Sequence, residues 1–280
     1  MFATEYYTLV AGLREYALDA ETKGFDAQAV MGEILGELSA ADARQVRLLA
    51  AYYDCENLIA LREGRAAWNP LGNFSKEELA EELKKPSRLP EALARVVKAY
   101  GTSEGEEDED AETADVPLRF ERALFAAYYD LCSRSSSRFL REWSAFDRTL
   151  RNVVAAVTAR NLGRPVEEVT VGGGSVVEQL QRSSASDFGL RGELDYVDAV
   201  LAAVSDEQNL VEKERKVDLI RWNEALELAT FDYFDIDAIL SYAVRIGIVA
   251  RWSRLDAARG REMFDRLLAE LDGRQWIEKQ

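Results

Sequence analysis

The run SSRFLREWSAFDRTLRNVVAAVTARNL, residues 136–162, decides the fold. Its large apolar residues (Phe139, Trp143, Phe146, Leu150, Val153, Val154 and Val157) return every three or four positions, the spacing of one helical face. Gly163 and Pro165 end it, because glycine accepts the left-handed turn that closes a helix and proline cannot continue one. Only 5 prolines interrupt the 280 residues. Alanine, leucine, glutamate and arginine dominate, and all four favour helix. The expectation is an all-α protein.

The same reading extends outward in both directions. Upstream, Phe120, Leu124, Tyr128 and Leu131 mark a helix after Pro117. Nearer the N-terminus, Asp26 caps a helix carrying Val30, Ile34, Leu35 and Leu38, and Ser39 starts a long one that ends at Gly64. Residues 69–73 (NPLGN) form a turn. Ser75 with Glu78 is a capping box, and Leu89-Pro90 opens a further helix that Gly101 stops. Residues 6–13 (YYTLVAGL) read as either an extended segment or a helical turn. Downstream, residues 169–174 (VTVGGG) read as a flexible loop. Ser205 with Gln208 reads as a capping box for a helix reaching Trp222 and Leu226. Asp235 caps the helix from Ile236 to Trp252, and a last helix is expected over residues 257–271.

Residues 102–116 differ in kind. Glu104, Glu106, Glu107, Asp108, Glu109, Asp110 and Glu112 crowd together without a large apolar residue, which predicts a disordered acidic linker. The ligand spacing and glycine of a calcium loop are missing from it. The expected organisation is a multi-helix bundle of packed helical units, 1–101 and 117–280, joined by this linker. The pentapeptide Ala-Ala-Tyr-Tyr-Asp occurs at 50–54 and again at 126–130, as chance in a biased composition or as the trace of a duplicated unit.

Composition narrows the function. The formal net charge is −16, from 35 basic and 51 acidic residues. Nucleic acid and anionic membrane surfaces both require basic side chains, so neither is an expected partner. The N-terminus lacks the basic and apolar regions of a signal peptide, and no apolar run approaches a bilayer span, which predicts a cytoplasmic protein without membrane insertion. Histidine is absent. That removes the commonest general base near neutral pH and most catalytic metal sites. Cys55 and Cys132 lie in apolar helical contexts and read as buried thiols. No enzyme activity and no cofactor are expected.

Motifs that suggest chemistry lack their companions. Gly172-Gly173-Gly174 is not followed by the Lys-Ser/Thr pair of a phosphate loop. Asp187-Phe188-Gly189 stands without the other kinase signatures, and Ser186 or Asp187 reads as a helix cap. Residues 182–190 (RSSASDFGL) still mix a base, hydroxyls and an aromatic, so Arg182, Asp187 and Phe188 are candidate partner contacts. Lys216, Arg221 and Trp222 are candidates of the same kind within the basic cluster of residues 213–222, where interleaved acids also allow a solvated face.

Six segments together resemble a bacterial family of uncharacterised proteins encoded among the subunits of V-type (A/V-type) ATPases. They are residues 6–13, 69–75 (NPLGNFS), 152–160 (NVVAAVTAR), 186–190 (SDFGL), 216–222 (KVDLIRW) and 251–256 (RWSRLD). The resemblance implies a counterpart of the central-stalk C subunit, the d subunit of eukaryotic pumps. That subunit is an all-helical socket joining the rotor shaft to the membrane ring. Asp54, Asn57 and Leu58, with Leu61-Arg62, are similar to an Asp-x-x-Asn-Leu…Leu-Arg pattern recurring in C subunits. The resemblance therefore implies a non-catalytic role in ion transport, with shaft and ring subunits as partners and a cytoplasmic position beside the inner membrane held through them.

Overall fold

The computed structural model describes residues 5–18, 25–100, 116–205 and 209–254. These contain eleven α-helices, one 3-10 turn and no strand. The acidic stretch 102–115, Gly101, Gln208 and the helix expected over 257–271 lie outside the described residues.

The first five helices are α1 (Tyr7–Gly12), α2 (Ala27–Glu37), α3 (Ala40–Arg62), α4 (Lys76–Lys84) and α5 (Glu91–Tyr100). Then come α6 (Val116–Ser133), α7 (Arg138–Asn161), the 3-10 turn Val166–Glu168, α8 (Ser175–Arg182), α9 (Val197–Ser205), α10 (Leu210–Leu228) and α11 (Ile236–Arg254). Residues 6–13 thus settle as a short helix. Four helix starts are made by the side chains the sequence singles out. Asp26 accepts from the N–H of Gln28 and Ala29, Ser39 from Asp42, and Ser75 with Glu78 closes the reciprocal capping box. Asp235 Oδ1 accepts from Asp237 and Ala238. The helix expected to open at Ser205 does not do so. Ser205 is the last residue of α9, and α10 is capped by Asn209, whose side chain accepts from Glu212 N–H at 3.1 Å.

Two buried clusters form the core, and they do not follow the chain's division at the acidic stretch. One joins α2, the start of α3, and α7 to α11. The other joins the rest of α3 to α4, α5 and α6, so helices before the acidic stretch pack on the first helix after it. The two Ala-Ala-Tyr-Tyr-Asp copies meet there. Tyr52 packs edge-on against Tyr128 with ring centroids 5.7 Å apart, and Tyr128 Oη donates to Leu49 O at 3.3 Å. The copies are not equivalent, because Asp54 is buried whereas Asp130 is exposed beside Arg134. Cys55 and Cys132 are buried free thiols in the same cluster, and burial pushes Cys132 up to about 12.

Loops are held down by side chains of the long helices. Asp54 and Asn57, one turn apart on α3, grip the residue 69–74 turn. Asn57 exchanges hydrogen bonds with the backbone of Asn69 at 2.8 and 2.7 Å. Asp54 accepts from Asn73 N–H at 2.8 Å, Asn73 Nδ2 at 2.6 Å and Phe74 N–H at 3.3 Å. Gly72 permits that approach, since a Cβ there would fall 2.5 Å from Asp54 Oδ1. The flexible loop expected at 169–174 is instead clamped at its start. Asn152 on α7 receives Val171 N–H at 2.8 Å and donates to Val171 O at 2.9 Å, and Thr170 and Val171 are buried. The glycines absorb the turn that follows, with positive φ at Gly172 and Gly174.

Replacing Asn152 with Ala strands a buried N–H and a buried C=O together. Unfolding by urea should show a loss of about 3 kcal/mol, against under ~0.5 kcal/mol for the exposed Asn161→Ala. Burial pushes the Asp54 carboxyl up to about 6, against the pull of its three N–H donors. The native state then keeps a proton that the unfolded chain has already lost, so this group's contribution to stability falls as pH rises from about 4 to about 6 and is level above. Carboxyl NMR titration should find an Asp54 midpoint near 6. The difference in unfolding free energy between the native chain and Asp54→Asn should carry that slope.

Candidate functional site

Helix α10 carries an aspartate, Asp218, on its inward face. It is 1% exposed, and a carboxylate so placed needs donors from several sides. Arg251 Nη1 on α11 donates to its Oδ2 at 2.7 Å, and Trp252 Nε1 donates to the same oxygen at 2.9 Å. Arg221, one turn along α10, reaches Oδ1 at 3.3 Å. Arg221 also pairs with Asp147 on α7 at 2.8 Å, and Asp147 in turn accepts from Tyr129 Oη on α6 at 2.7 Å. Four helices are thereby joined by one line of charge and hydrogen bonds. Burial alone would lower the Arg221 guanidinium, but Asp147 and Asp218 outweigh that and hold it well above its ordinary range.

Beside this network lies a cavity of about 560 Å³. Helix α3 contributes Tyr52, Tyr53 and Glu56, α6 contributes Glu121 and Phe125, and α11 contributes Gly247, Arg251 and Arg254. Trp68 and Asn69 border it from the loop after α3. Most charges in its wall are already paired, as with Arg151 and Glu121 at 2.6 Å and Arg251 with Glu214. Burial raises the Glu56 carboxyl, partly offset by the hydrogen bond from Asn69 and by nearby arginines. Burial also takes the Tyr52 hydroxyl up to about 12.

A second feature is on the surface. The turn between α10 and α11 exposes Phe231 at 86% and Tyr233 at 67%. Phe234 follows, stacked at a tilt on the half-exposed Tyr7 with centroids 4.6 Å apart. The turn is anchored rather than loose: Arg138 donates to Leu228 O at 2.9 Å and pairs with Asp232, and Tyr6 N–H donates to Phe234 O. Aromatic groups held out in water on a fixed turn are the usual material of protein contacts.

The six candidate contact residues do not share one surface. Arg182 ends α8 with its side chain 81% exposed, 3.6 Å from Glu178. Asp187 is a turn former and not a helix cap, its Oδ1 accepting from Gly189 N–H at 2.9 Å. Phe188 is 1% exposed, at φ 56°, and lies in the core under Arg160, whose guanidinium is 3.6 Å from the ring centroid. Arg160 also donates to Ser183 O and Ala185 O. Lys216 is half-buried on α10, while Arg221 belongs to the ion network and Trp222 packs on the core beside Arg245. Sequence reasoning missed Asp147, Asp218 and the aromatic turn. The only visible trace of the turn was residues 231–235 (FDYFD), three aromatics with no helical spacing.

The fold and these two features define an all-helical protein with an ion-paired interior, a polar cavity and an aromatic contact turn. Among the described residues no group of carboxylates and thiols is placed to hold a metal, and no helix is long and apolar enough to cross a membrane. The chain belongs to the family described as "Protein of unknown function (DUF2764)", which it matches over residues 3–274. No functionally curated protein matches it.

Arg221→Gln leaves two buried carboxylates short of their cation, so chemical denaturation should show a loss of about 3–5 kcal/mol. The exposed Arg182→Gln should change stability by less than ~0.5 kcal/mol. Equal small effects at both positions would mean that Arg221 does not hold the helices together.

Proposed function

We propose that this protein is a non-catalytic subunit of a V-type (A/V-type) ATPase, a coupler of the central-stalk C type between rotor shaft and membrane ring. It works in support of ion transport, on the cytoplasmic side, through partner subunits. The observation that carries a partner-binding role is the aromatic turn of Phe231, Tyr233 and Phe234 beside Tyr7, exposed yet anchored to α7 and to the N-terminal segment. The resemblance of the six sequence segments supplies the kind of partner.

Two further features agree with this reading. A part that transmits torque needs helices that cannot slide on one another, and the line from Trp252 through Asp218, Arg221 and Asp147 to Tyr129 opposes sliding in four of them. Acid–base catalysis in the cavity would need two free carboxylates in different protonation states. Asp147, Glu121 and Glu214 are each held by an arginine, which leaves Glu56 without a second.

An affinity pull-down from native cells, read by mass spectrometry, should recover the shaft and ring subunits. The double variant Phe231→Ser, Tyr233→Ser should fold normally and recover them at about a tenth of that level or less, as expected for central aromatic anchors. Recovery of other proteins in the reproducible absence of the head, shaft and ring subunits would remove the rotary-motor role and leave a helical adaptor of a different complex.

A further inference from the structure

We propose that the cavity bordered by α3, α11 and the loop after α3 binds a small zwitterion, a molecule bearing one ammonium and one carboxylate. The inference rests on which charges in its wall are left over. Arg221 and Arg251 share Asp218 and have Asp147 and Glu214 besides, and Arg151 has Glu121. Arg65 has Glu63 at 2.5 Å. Among the described residues, two groups lining the cavity form no ion pair within hydrogen-bond reach, although Arg151, Arg251 and Arg254 itself lie near enough to offset part of the burial cost of Glu56. The Glu56 carboxylate receives one hydrogen bond, from Asn69 Nδ2 at 3.0 Å. Among the described residues the Arg254 guanidinium donates to two backbone carbonyls, Ala250 O at 3.2 Å and Trp68 O at 3.3 Å.

These two groups are neighbours in space, because Trp68 and Asn69, which they hold, are joined by one peptide bond. Tyr53, one turn before Glu56, also lines the cavity, and its hydroxyl lies against Gly247, where a Cβ would stand 2.0 Å from it. The glycine keeps room for that hydroxyl as a third polar contact.

Charge then selects the ligand class. A lone cation would answer Glu56 but stand among the arginines. A lone anion would answer Arg254 but face Glu56, Asp147 and Glu214. A zwitterion answers both and adds no net charge on the Glu56 side, which is half-buried and where an unmatched charge is costly, while Arg254 stands exposed at the rim. The volume of about 560 Å³ suits a small molecule. The Trp68 and Tyr52 rings supply apolar wall and a face for an ammonium. This site is independent of the stalk reading, since a coupler and an adaptor could each carry it.

The test is isothermal titration calorimetry and thermal melting of the purified full chain with the standard amino acids, γ-aminobutyrate and 5-aminovalerate. Acetate and ethylammonium at equal ionic strength serve as single-charge controls. At least one zwitterion should bind saturably and raise the Tm, and its N-acetyl and its carboxamide forms should each bind at least about tenfold more weakly. Glu56→Gln keeps an oxygen for Asn69 and should weaken binding by a similar factor. The comparison of derivatives needs no substitution, so it decides the matter even where a variant folds poorly. Absence of saturable binding by every zwitterion would overturn the proposal, as would equal binding of the N-acetyl or carboxamide form, or undiminished binding by a folded Glu56→Gln chain.

Discussion

A carboxylate shut away from water constrains everything that surrounds it, and Asp218 is that carboxylate here. Its two oxygens are satisfied only if α11 brings Arg251 and Trp252 to one and α10 turns Arg221 to the other. A slip of α11 by one residue would swing those donors about 100° around the helix and leave a buried charge bare. The demand is then passed on. Arg221 needs Asp147 to offset the cost of burying its charge, and Asp147 is completed by Tyr129, which belongs to the other hydrophobic cluster. Apolar packing drives the helices together, but it tolerates many registers. This line of directional contacts admits one.

The loops follow the same logic at smaller scale. A loop pressed against a helical body has backbone groups that must find partners, and side chains on the helices provide them. Asn57 and Asn152 each offer one donor and one acceptor to a single backbone site, the pattern an amide side chain shares with a strand neighbour. Glu82 does the equivalent at the α4–α5 junction, accepting from the N–H of Ser87, Arg88 and Leu89. Burial pushes that carboxyl up, but the converging N–H groups outweigh it and hold it below the usual range. Some stretches that stand out in the sequence turn out to be partners of one another. Residues 152–160 meet 186–190 where Arg160 lies over the Phe188 ring, and residues 216–222 meet 251–256 where Asp218 accepts from Arg251 and Trp252.

What the sequence disclosed was set by distance along the chain. Helices and caps depend on residues within a turn or two, so Asp26, Ser39, Ser75 and Asp235 were legible. Ser205 misled because a serine followed by a glutamine three residues on is a common pattern, and Asn209 offered an equally good acceptor nearer the apolar run. The three glycines of 172–174 suggested looseness because the residue that clamps Val171 lies 19 positions away. Phe188 was read as a contact because it sat among hydroxyls, and its burial depends on Arg160 from another helix. Arg221 looked solvated beside the acids of its own helix, whereas its strongest partner is 74 residues distant. The cavity was illegible for the same reason, being built from five separate stretches.

The way α6 packs has a consequence for the chain as a covalent object. Its aromatic face is sealed against α3 and α5, across the acidic stretch, while α2 and the start of α3 share a core with α7 to α11. Each side of that stretch therefore lends helices to both cores. A protease cut between α5 and α6 would yield two pieces still clasped by the buried surface they share, and a gel-filtration column would pass them as one body. Conversely, neither piece made alone would own a complete interior. The acidic stretch is a seam in the peptide without being a boundary in the solid.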